Sequence, residues 1–310
     1  MEDAPFFDDV ADAPAGAICR WLTAADGVRL RAAIWRGGDK GTVFLFPGRT
    51  EYIEKYGPAA GELSARGYAM ATLDWRGQGL AERLLPDPAP GHISRFRDYQ
   101  KDVAALLAFV SAEDLPKPYY LLAHSMGGCI GLRSLHEGCG ARAAVFSAPM
   151  WGIGMTPALR PVAISLGFMA PRIGMGHKLV PGTKPKTYVL DAPFEGNVLT
   201  RDPAMYAFMQ RQLTQHPELA IGGPTLRWLH EALSETRALA ALPSPACPAL
   251  TVLGRLERVV DTAAIHRRMA RWPGGRLDLV DGAEHEVIME GTDIRARFFD
   301  AAAAHFDANR

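Results

Sequence analysis

Short, mostly apolar strands alternate with helical stretches along much of this chain, and this alternation constrains the fold more than any other feature. The strand-like stretches are TVFLFPG, GYAMATLD, PYYLLAHS, ARAAVFSAP, CPALTVLGR and GRLDLVDGAEH. Apolar strands separated by helices require right-handed crossovers and a mostly parallel sheet that is covered on both faces. The sequence therefore predicts an α/β fold.

Two regions depart from this alternation. AICRWLTAADGVRLRAAIW reads as two strands joined at Asp26–Gly27, so we expect an antiparallel start after an irregular leader over residues 1–17. Residues 149–242 contain helical patterns but no convincing strand, and a bare loop of that length would be unusual. We predict an α/β core at 18–148 and 243–310, with 149–242 inserted as a helical cap.

Composition excludes several classes of protein. The 310 residues contain 34 basic and 34 acidic side chains, so no net charge favours nucleic acid. The start of the chain is acidic and lacks the basic, apolar pattern of an export signal, which predicts a cytoplasmic protein. No CxxC spacing occurs, so we expect reduced thiols, no metal and no cofactor. The cysteines are Cys19, Cys129, Cys139 and Cys247.

The segment AHSMGG places Ser125 directly after a predicted strand. A nucleophile on a tight turn between strand and helix needs small residues two positions before and after it, and Ala123 and Gly127 meet that need. The alternative is that Ser125 only caps the following helix, and for this motif by itself the cap is the preferred interpretation.

Partners for a nucleophilic serine follow two later strands. His285 comes directly after the last core strand, where it could act as a general base. An acid should orient its imidazole, and Glu257 and Asp261 both follow the strand PALTVLG. Asp261 begins a helix, so an N-cap role explains it, and we favour Glu257. Serine, acid, histidine is one of the known chain orders of such a triad.

The loop in FLFPGRTEYIEKYG follows an early strand and could supply a backbone donor. A tetrahedral oxyanion is usually held by a pair of amides, one from the residue after the nucleophile and one from a loop of this kind. Met126 and Arg49 occupy these two positions in the sequence. The alternative is an ordinary proline-glycine turn with a solvated Arg49 side chain.

The predicted cap is rich in methionine and aromatic residues, which suit a flexible acyl chain but could equally pack the cap onto the core. The predicted substrate-binding residues are Met150, Trp151, Met155, Phe168, Phe194 and Phe208. PVAISLGFMAP is too short to span a bilayer, which takes roughly 18 apolar residues, but it could contact a membrane surface transiently.

Taken together, these stretches resemble the α/β-hydrolase superfamily and, within it, the bacterial lysophospholipase and monoacylglycerol lipase-like branch. The resemblance is carried by PGRTEYIEKY, LDWRGQGLAER, GHISRFRDYQKD, AHSMGG, GRLERVVD and GAEHEVIMEG. It implies Ser125 as nucleophile, His285 as base, Glu257 as acid, an oxyanion hole at Arg49 and Met126, and a helical lid.

Three positions depart from the pattern of this branch. Pro47-Gly48 replaces the common His-Gly, so the hydrogen bonding of the loop must differ. Glu257 stands where relatives usually have the shorter aspartate, and Ala81 stands where serine is common.

We predict a serine hydrolase that cleaves a monoacyl lipid, either a lysophospholipid or a monoacylglycerol, without a cofactor. The alternatives are an esterase for small soluble esters, an acyltransferase or peptidase on the same scaffold, and a binding protein with a silent triad. The sequence carries no signal for an oligomeric state.

Overall fold

The computed structural model describes residues 1–156 and 160–310 and centres on one eight-stranded sheet. Its spatial order is β1-β2-β4-β3-β5-β6-β7-β8. The strands are β1 (Ile18–Thr23), β2 (Arg29–Trp35), β3 (Thr42–Phe46), β4 (Ala69–Asp74), β5 (Tyr119–His124), β6 (Ala141–Ser147), β7 (Ala249–Gly254) and β8 (Arg276–Val280). β2 pairs antiparallel with β1 and β4, and the other pairs are parallel. The α/β prediction is confirmed.

Helices cover both faces of this sheet. They are α1 (Asp8–Ala11), α2 (Gly57–Ala65), α3 (Tyr99–Ala112), α4 (Met126–His136), α5 (Arg160–Met169), α6 (Tyr188–Asp191), α7 (Pro203–Gln215), α8 (Leu226–Ala241), α9 (Thr262–Met269) and α10 (Thr292–Asp307). Short 3₁₀ turns lie at Ile53–Tyr56, Phe96–Asp98, Ala170–Ile173, Pro217–Leu219 and Val287–Met289.

Every residue of β3 is buried, because alternate side chains enter two different cores. Phe44 and Phe46 belong to the core beneath α3 and α4. Val43 and Leu45 belong to the core beneath α2 and α10. β5 lies between β3 and β6, so its carboxyl end opens at the centre of the sheet. In a parallel sheet that end is where ligands bind.

The segment between β6 and β7 holds α5 to α8, joined by turns and isolated bridges. Its described residues contain none of the sheet strands. α8 packs on α4 and on α5, whereas α7 packs on the 3₁₀ turn Ile53–Tyr56 and on α1.

The amino-terminal segment is more ordered than a purely irregular leader. It forms α1, and Asp3 pairs with Arg20 in an antiparallel bridge beside β1. Val10 and Ala11 are fully buried, so apolar contact with the rest of the fold explains why this short helix forms.

A search of the described residues found no helix that is both long and apolar enough to cross a membrane.

A buried ion-pair cluster joins β2, β4 and the segment after β3. The Arg31 guanidinium donates to both carboxylate oxygens of Glu54 at 2.7 Å and to Asp74 at 2.7 Å. Asp74 also accepts from the amides of Ile53 and Leu80. All three charged side chains are fully buried, so the cluster fixes where the chain runs after β3.

Replacing Arg31 by leucine should lower the free energy of unfolding by about 3 to 5 kcal/mol, because Glu54 and Asp74 would remain as buried charges without their cation. Arg36→Leu is the control, since Arg36 is half exposed and pairs with Glu113 at 3.0 Å. Such exposed pairs contribute about 0 to 1 kcal/mol. Urea unfolding followed by circular dichroism measures both losses, and equal losses would contradict the assignment.

Candidate active site

Ser125 occupies the turn between β5 and α4 with a positive φ of 49° and a ψ of −117°. A non-glycine residue rarely adopts this conformation, and such strain is common where a reactive side chain is displayed. Gly127 explains part of the constraint, since a Cβ there would lie 2.2 Å from the carbonyl oxygen of Phe46. The small residue predicted at this position is therefore required by close contact with the end of β3.

The structure brings Ser125, His285 and Glu257 into one hydrogen-bonded chain. Nε2 of His285 lies 2.9 Å from Oγ of Ser125, and its Nδ1 lies 2.6 Å from Oε2 of Glu257. An ionised carboxylate can only accept, so Nδ1 carries the proton and donates to Glu257. Nε2 is then left to accept the hydroxyl proton of Ser125.

Glu257 is held in place by its own loop. Oε1 accepts from the amides of Val259 and Val260 at 2.5 and 3.0 Å. Burial would raise the pKa of Glu257, but the hydrogen bond from His285 and these two amides outweigh burial and lower it. Asp261, the other acid that the sequence offered, accepts from the amide of Ala264 at 3.1 Å as the N-cap of α9.

The loop after β3 is fixed by hydrogen bonds on both sides of Arg49. The indole of Trp75 donates to the carbonyl of Pro47 at 2.9 Å. The side chain of Gln78 donates to the carbonyl of Gly48 at 3.1 Å and accepts from the amide of Thr50 at 3.0 Å. These contacts hold the loop in which Pro47 precedes Gly48.

Two backbone amides remain available beside the serine. The amide of Gly48 donates to Glu51, and that of Thr50 to Gln78. Within the described residues, the amides of Arg49 and Met126 donate to no protein acceptor. Met126 follows Ser125 directly in the chain, and Arg49 lines the same cavity as Ser125.

A cavity of about 290 Å³ opens at Ser125 and His285. Its polar side is formed by the loop after β3 and its apolar side by residues between β6 and β7 together with Val259. The apolar lining residues are Tyr188, Val189, Val198, Leu199, Met209, Leu213 and Val259. A cavity with one polar end and one apolar wall suits a molecule that carries an ester at the end of a hydrocarbon chain.

Comparison with known proteins identifies the family. The model described as serine aminopeptidase, S33, matches residues 37–292. Lysophospholipase L2 of Escherichia coli (strain K12) is 33% identical over 302 residues, which cover 92% of this chain and 86% of that protein. The chain belongs to this S33 family of α/β-hydrolases. Probable lysophospholipase L2 of Haemophilus influenzae is 31% identical and covers 82% of this chain and 79% of its own.

Solved structures agree on the fold. A soluble variant of monoglyceride lipase from Saccharomyces cerevisiae superposes with a TM-score of 0.75 at 19% identity, covering 99% of both chains. A carboxyl esterase from Bacillus coagulans gives 0.73 at 15% identity and covers 96% of this chain and 99% of its own. The chain is a serine ester hydrolase, and its resemblance to the lysophospholipase and monoacylglycerol lipase-like branch is confirmed.

The sequence analysis of this S33 hydrolase missed a buried charge cluster at the polar end of the cavity. The Lys55 ammonium lies 2.9 Å from Glu51 and 2.8 Å from Glu286. Glu51 also accepts from the amide of Gly48 and the hydroxyl of Tyr56. The four-residue spacing of Glu51 and Lys55 could have indicated their ion pair. The contact of Lys55 with Glu286 could not be predicted in this way, because it depends on how two distant loops pack together.

Two residues of this cluster belong to a group of side chains, among the described residues, whose spacing would suit a metal ion. Glu51, His124 and Glu286 offer ligand atoms that lie within 4.8 Å of one another. The ammonium of Lys55 already contacts both carboxylates, so a metal ion would have to displace it. The donor set therefore gives no reason to assign a metal to the hydrolase.

His124, the residue before the serine, packs beside the triad. Its Nδ1 donates to the carbonyl of Ser147 at 3.1 Å, and its ring lies 4.9 Å from that of His285. Burial lowers the pKa of His124 to about 3, although Glu51 opposes the shift, so the ring is neutral at neutral pH. A second positive charge beside His285 is thereby avoided.

None of the six predicted substrate-binding side chains lines the catalytic cavity. Met150, Trp151 and Phe208 are buried in the two cores, and Trp151 stacks on Trp272. Phe194 packs on Tyr206, and Phe168 is 46% exposed on α5. Met155 is half-buried outside the cavity lining. The residues of this segment that do line the cavity, among them Val198 and Leu213, are different ones.

Glu51→Gln should destabilise the hydrolase by about 3 kcal/mol or more at pH 7, because Lys55 loses one of its two buried partners. Burial would raise the pKa of Glu51, but Lys55 holds it at about 2, below its ordinary 4.5. A depressed pKa gives stabilisation that is present above the unfolded value and is lost as the pH falls toward the folded value. The difference in the free energy of unfolding between Glu51→Gln and the wild type should therefore become smaller as the pH falls below 4.5.

Urea unfolding between pH 7 and pH 3 measures this difference. Glu137→Gln is the control, because Glu137 is 46% exposed and lies 3.9 Å from Arg133. A pH-independent gap between Glu51→Gln and wild type would rule out an ionised Glu51 in the folded state.

Proposed function

We propose that this hydrolase cleaves the acyl ester of a monoacyl lipid, a lysophospholipid or a monoacylglycerol, with Ser125, His285 and Glu257 as its catalytic triad. The observation that carries the proposal is the hydrogen-bonded chain from Glu257 through His285 to Ser125, with separations of 2.6 and 2.9 Å. The lysophospholipase L2 proteins of two bacteria are similar along most of the chain, which supports the lipid substrate.

The reaction proceeds in two steps. His285 takes the hydroxyl proton of Ser125 through Nε2 as Oγ attacks the acyl carbonyl. The amides of Arg49 and Met126 stabilise the oxyanion, and Glu257 stabilises the imidazolium. His285 then protonates the leaving glycerol oxygen, so the alcohol departs and an acyl-serine remains. Water, deprotonated by His285, attacks that acyl group and releases the fatty acid and Ser125.

Residues 149–242 act, in this proposal, as a cap that receives the acyl chain. Six of the apolar side chains around the catalytic cavity come from this segment, whereas Ser125 and His285 come from the core. An acyl chain directed between cap and core would leave its ester at Ser125.

The cap would also meet the lipid surface from which such a substrate is drawn. α5, the 3₁₀ turn after it and the residues that follow expose a series of large apolar side chains, each between 41% and 63% accessible. They are Val162, Leu166, Phe168, Met169, Ile173 and Met175. Apolar surface that is continuous along one helix is typical of interfacial contact with membranes or micelles.

The triad assignment predicts two losses of different size, and one unaffected control, in the hydrolysis of a monoacyl lipid. Ser125→Ala should lose about a million-fold in kcat and all labelling by a fluorophosphonate probe. Glu257→Gln should lose about ten-thousand-fold, because the imidazole is no longer held in its productive tautomer. Asp261→Asn is the control and should stay within about twofold, since asparagine also caps a helix.

A substrate panel tests the lipid assignment with the same preparations. It contains p-nitrophenyl butyrate, monopalmitoylglycerol, palmitoyl-lysophosphatidylcholine and an aminoacyl p-nitroanilide, and kcat/KM should be highest for one of the two lipids. Preference for the short ester would replace the lipid by a small soluble ester, and preference for the anilide would make the enzyme a peptidase. Loss of activity in Asp261→Asn with retention in Glu257→Gln would transfer the acid role.

Interfacial contact is tested by the double variant Met169→Ser, Ile173→Ser, whose native side chains are 51% and 63% exposed. Removing about 2 to 4 kcal/mol of apolar insertion should reduce sedimentation with phosphatidylglycerol vesicles and slow the hydrolysis of micellar lysophospholipid at least about tenfold. Hydrolysis of p-nitrophenyl butyrate, which is dissolved in water, should not change. An equal loss on both substrates would show damage to the fold instead.

A further inference from the structure

Arg49 carries a half-buried positive charge that the mechanism above does not use. Only its backbone amide faces the oxyanion, while its side chain runs toward the cap. The guanidinium donates to the carbonyl of Gly222 at 2.7 Å and lies 5.5 Å from the ring centroid of Trp228. Among the described residues, no carboxylate oxygen lies within 4.0 Å of it.

Two buried cations of the segments around the catalytic loop are matched by anions, whereas the buried Arg268 donates only to carbonyls and a hydroxyl. Arg31 is paired with Glu54 and Asp74, and Lys55 is paired with Glu51 and Glu286. Burial lowers the pKa of Arg49 to about 10, so its guanidinium stays charged at neutral pH. A carbonyl and an aromatic face leave that charge without a counterion, and Arg49 lines the catalytic cavity, where a ligand can reach it. An anionic group of the substrate can therefore pair with it.

The polar side of the catalytic cavity carries two cations that differ in their partners. Arg49 and Lys55 both line it, but Lys55 is flanked by two carboxylates. An anionic group would be repelled by Glu51 and Glu286 and attracted by Arg49. An anion that entered with the substrate would therefore lie on the Arg49 side of Ser125.

We propose that the Arg49 side chain binds the phosphate of a lysophospholipid whose ester carbonyl is held by the amide of the same residue. This inference rests on the proposed function and selects between its two lipids, since a monoacylglycerol has no phosphate. In a lysophospholipid the ester and the phosphate are separated by the glycerol backbone. The extended side chain of an arginine separates its amide from its guanidinium by a similar distance, and guanidinium binds phosphate with two parallel hydrogen bonds.

The experiment compares kcat/KM for three palmitoyl lipids presented at equal mole fraction in mixed detergent micelles: lysophosphatidylcholine, lysophosphatidylglycerol and monopalmitoylglycerol. Arg49→Met should lower the ratio of each lysophospholipid to the monoacylglycerol by about ten- to a hundredfold, as expected for the loss of a charged hydrogen bond. Arg49→Lys should give a ratio between those of Arg49→Met and the wild type. Lysine keeps the positive charge but cannot form the two parallel hydrogen bonds of a guanidinium. Arg36→Met is the exposed control and should leave the ratio at its wild-type value.

The ratio separates this role from damage to the oxyanion loop, which would slow all three lipids equally. A ratio that stays unchanged in Arg49→Met would overturn the inference while leaving the proposed function intact. Wild-type enzyme that hydrolyses none of the three lipids would overturn the proposed function instead. Glycerol 3-phosphate gives a second readout: its competitive inhibition of the wild type should weaken at least about tenfold in Arg49→Met, and equal inhibition of both would also overturn the inference.

Discussion

The close approach of α4 to the end of β3 determines the geometry of the whole site. Gly127 lets the start of the helix lie against the carbonyls of Phe46 and Pro47, where any side chain would collide. That approach places the strained turn at Ser125 next to the loop that carries Arg49. The candidate nucleophile and the two free amides are thus positioned by close backbone packing, and an oxyanion is best stabilised by donors that are fixed in advance.

Buried charges then connect the loops around this turn. Glu51 ties to the amide of Gly48, Lys55 joins Glu51 to Glu286, and Glu286 follows His285 directly in the chain. Desolvating these groups is costly, and the mutual attraction of opposite charges offsets it only while all of them are present. These ion pairs join the loop after β3 to the loop that carries His285. Loss of any one charged group would therefore destabilise both loops.

The sequence was sufficient wherever proximity follows from position along the chain. Ser125, Glu257 and His285 each come after a parallel strand of the sheet, and a parallel sheet gathers those ends at one edge, so their proximity could be predicted. The lining of the cavity could not be predicted. Val198 and Leu213 are ordinary apolar residues in the sequence, and only the tertiary structure places them beside Ser125. The contact of Lys55 with Glu286 likewise depends on loop geometry that no periodicity encodes.

Gln212 of α7 gives the amino-terminal segment an importance beyond its length. Its fully buried side chain donates to the carbonyls of Val10 and Glu54 and accepts from the hydroxyl of Tyr52. The next residue, Leu213, lines the catalytic cavity. One amide group thus links the amino-terminal segment to the helix that forms part of the cavity wall. Removal of that segment would leave this side chain without one of its acceptors and would weaken the packing of α7.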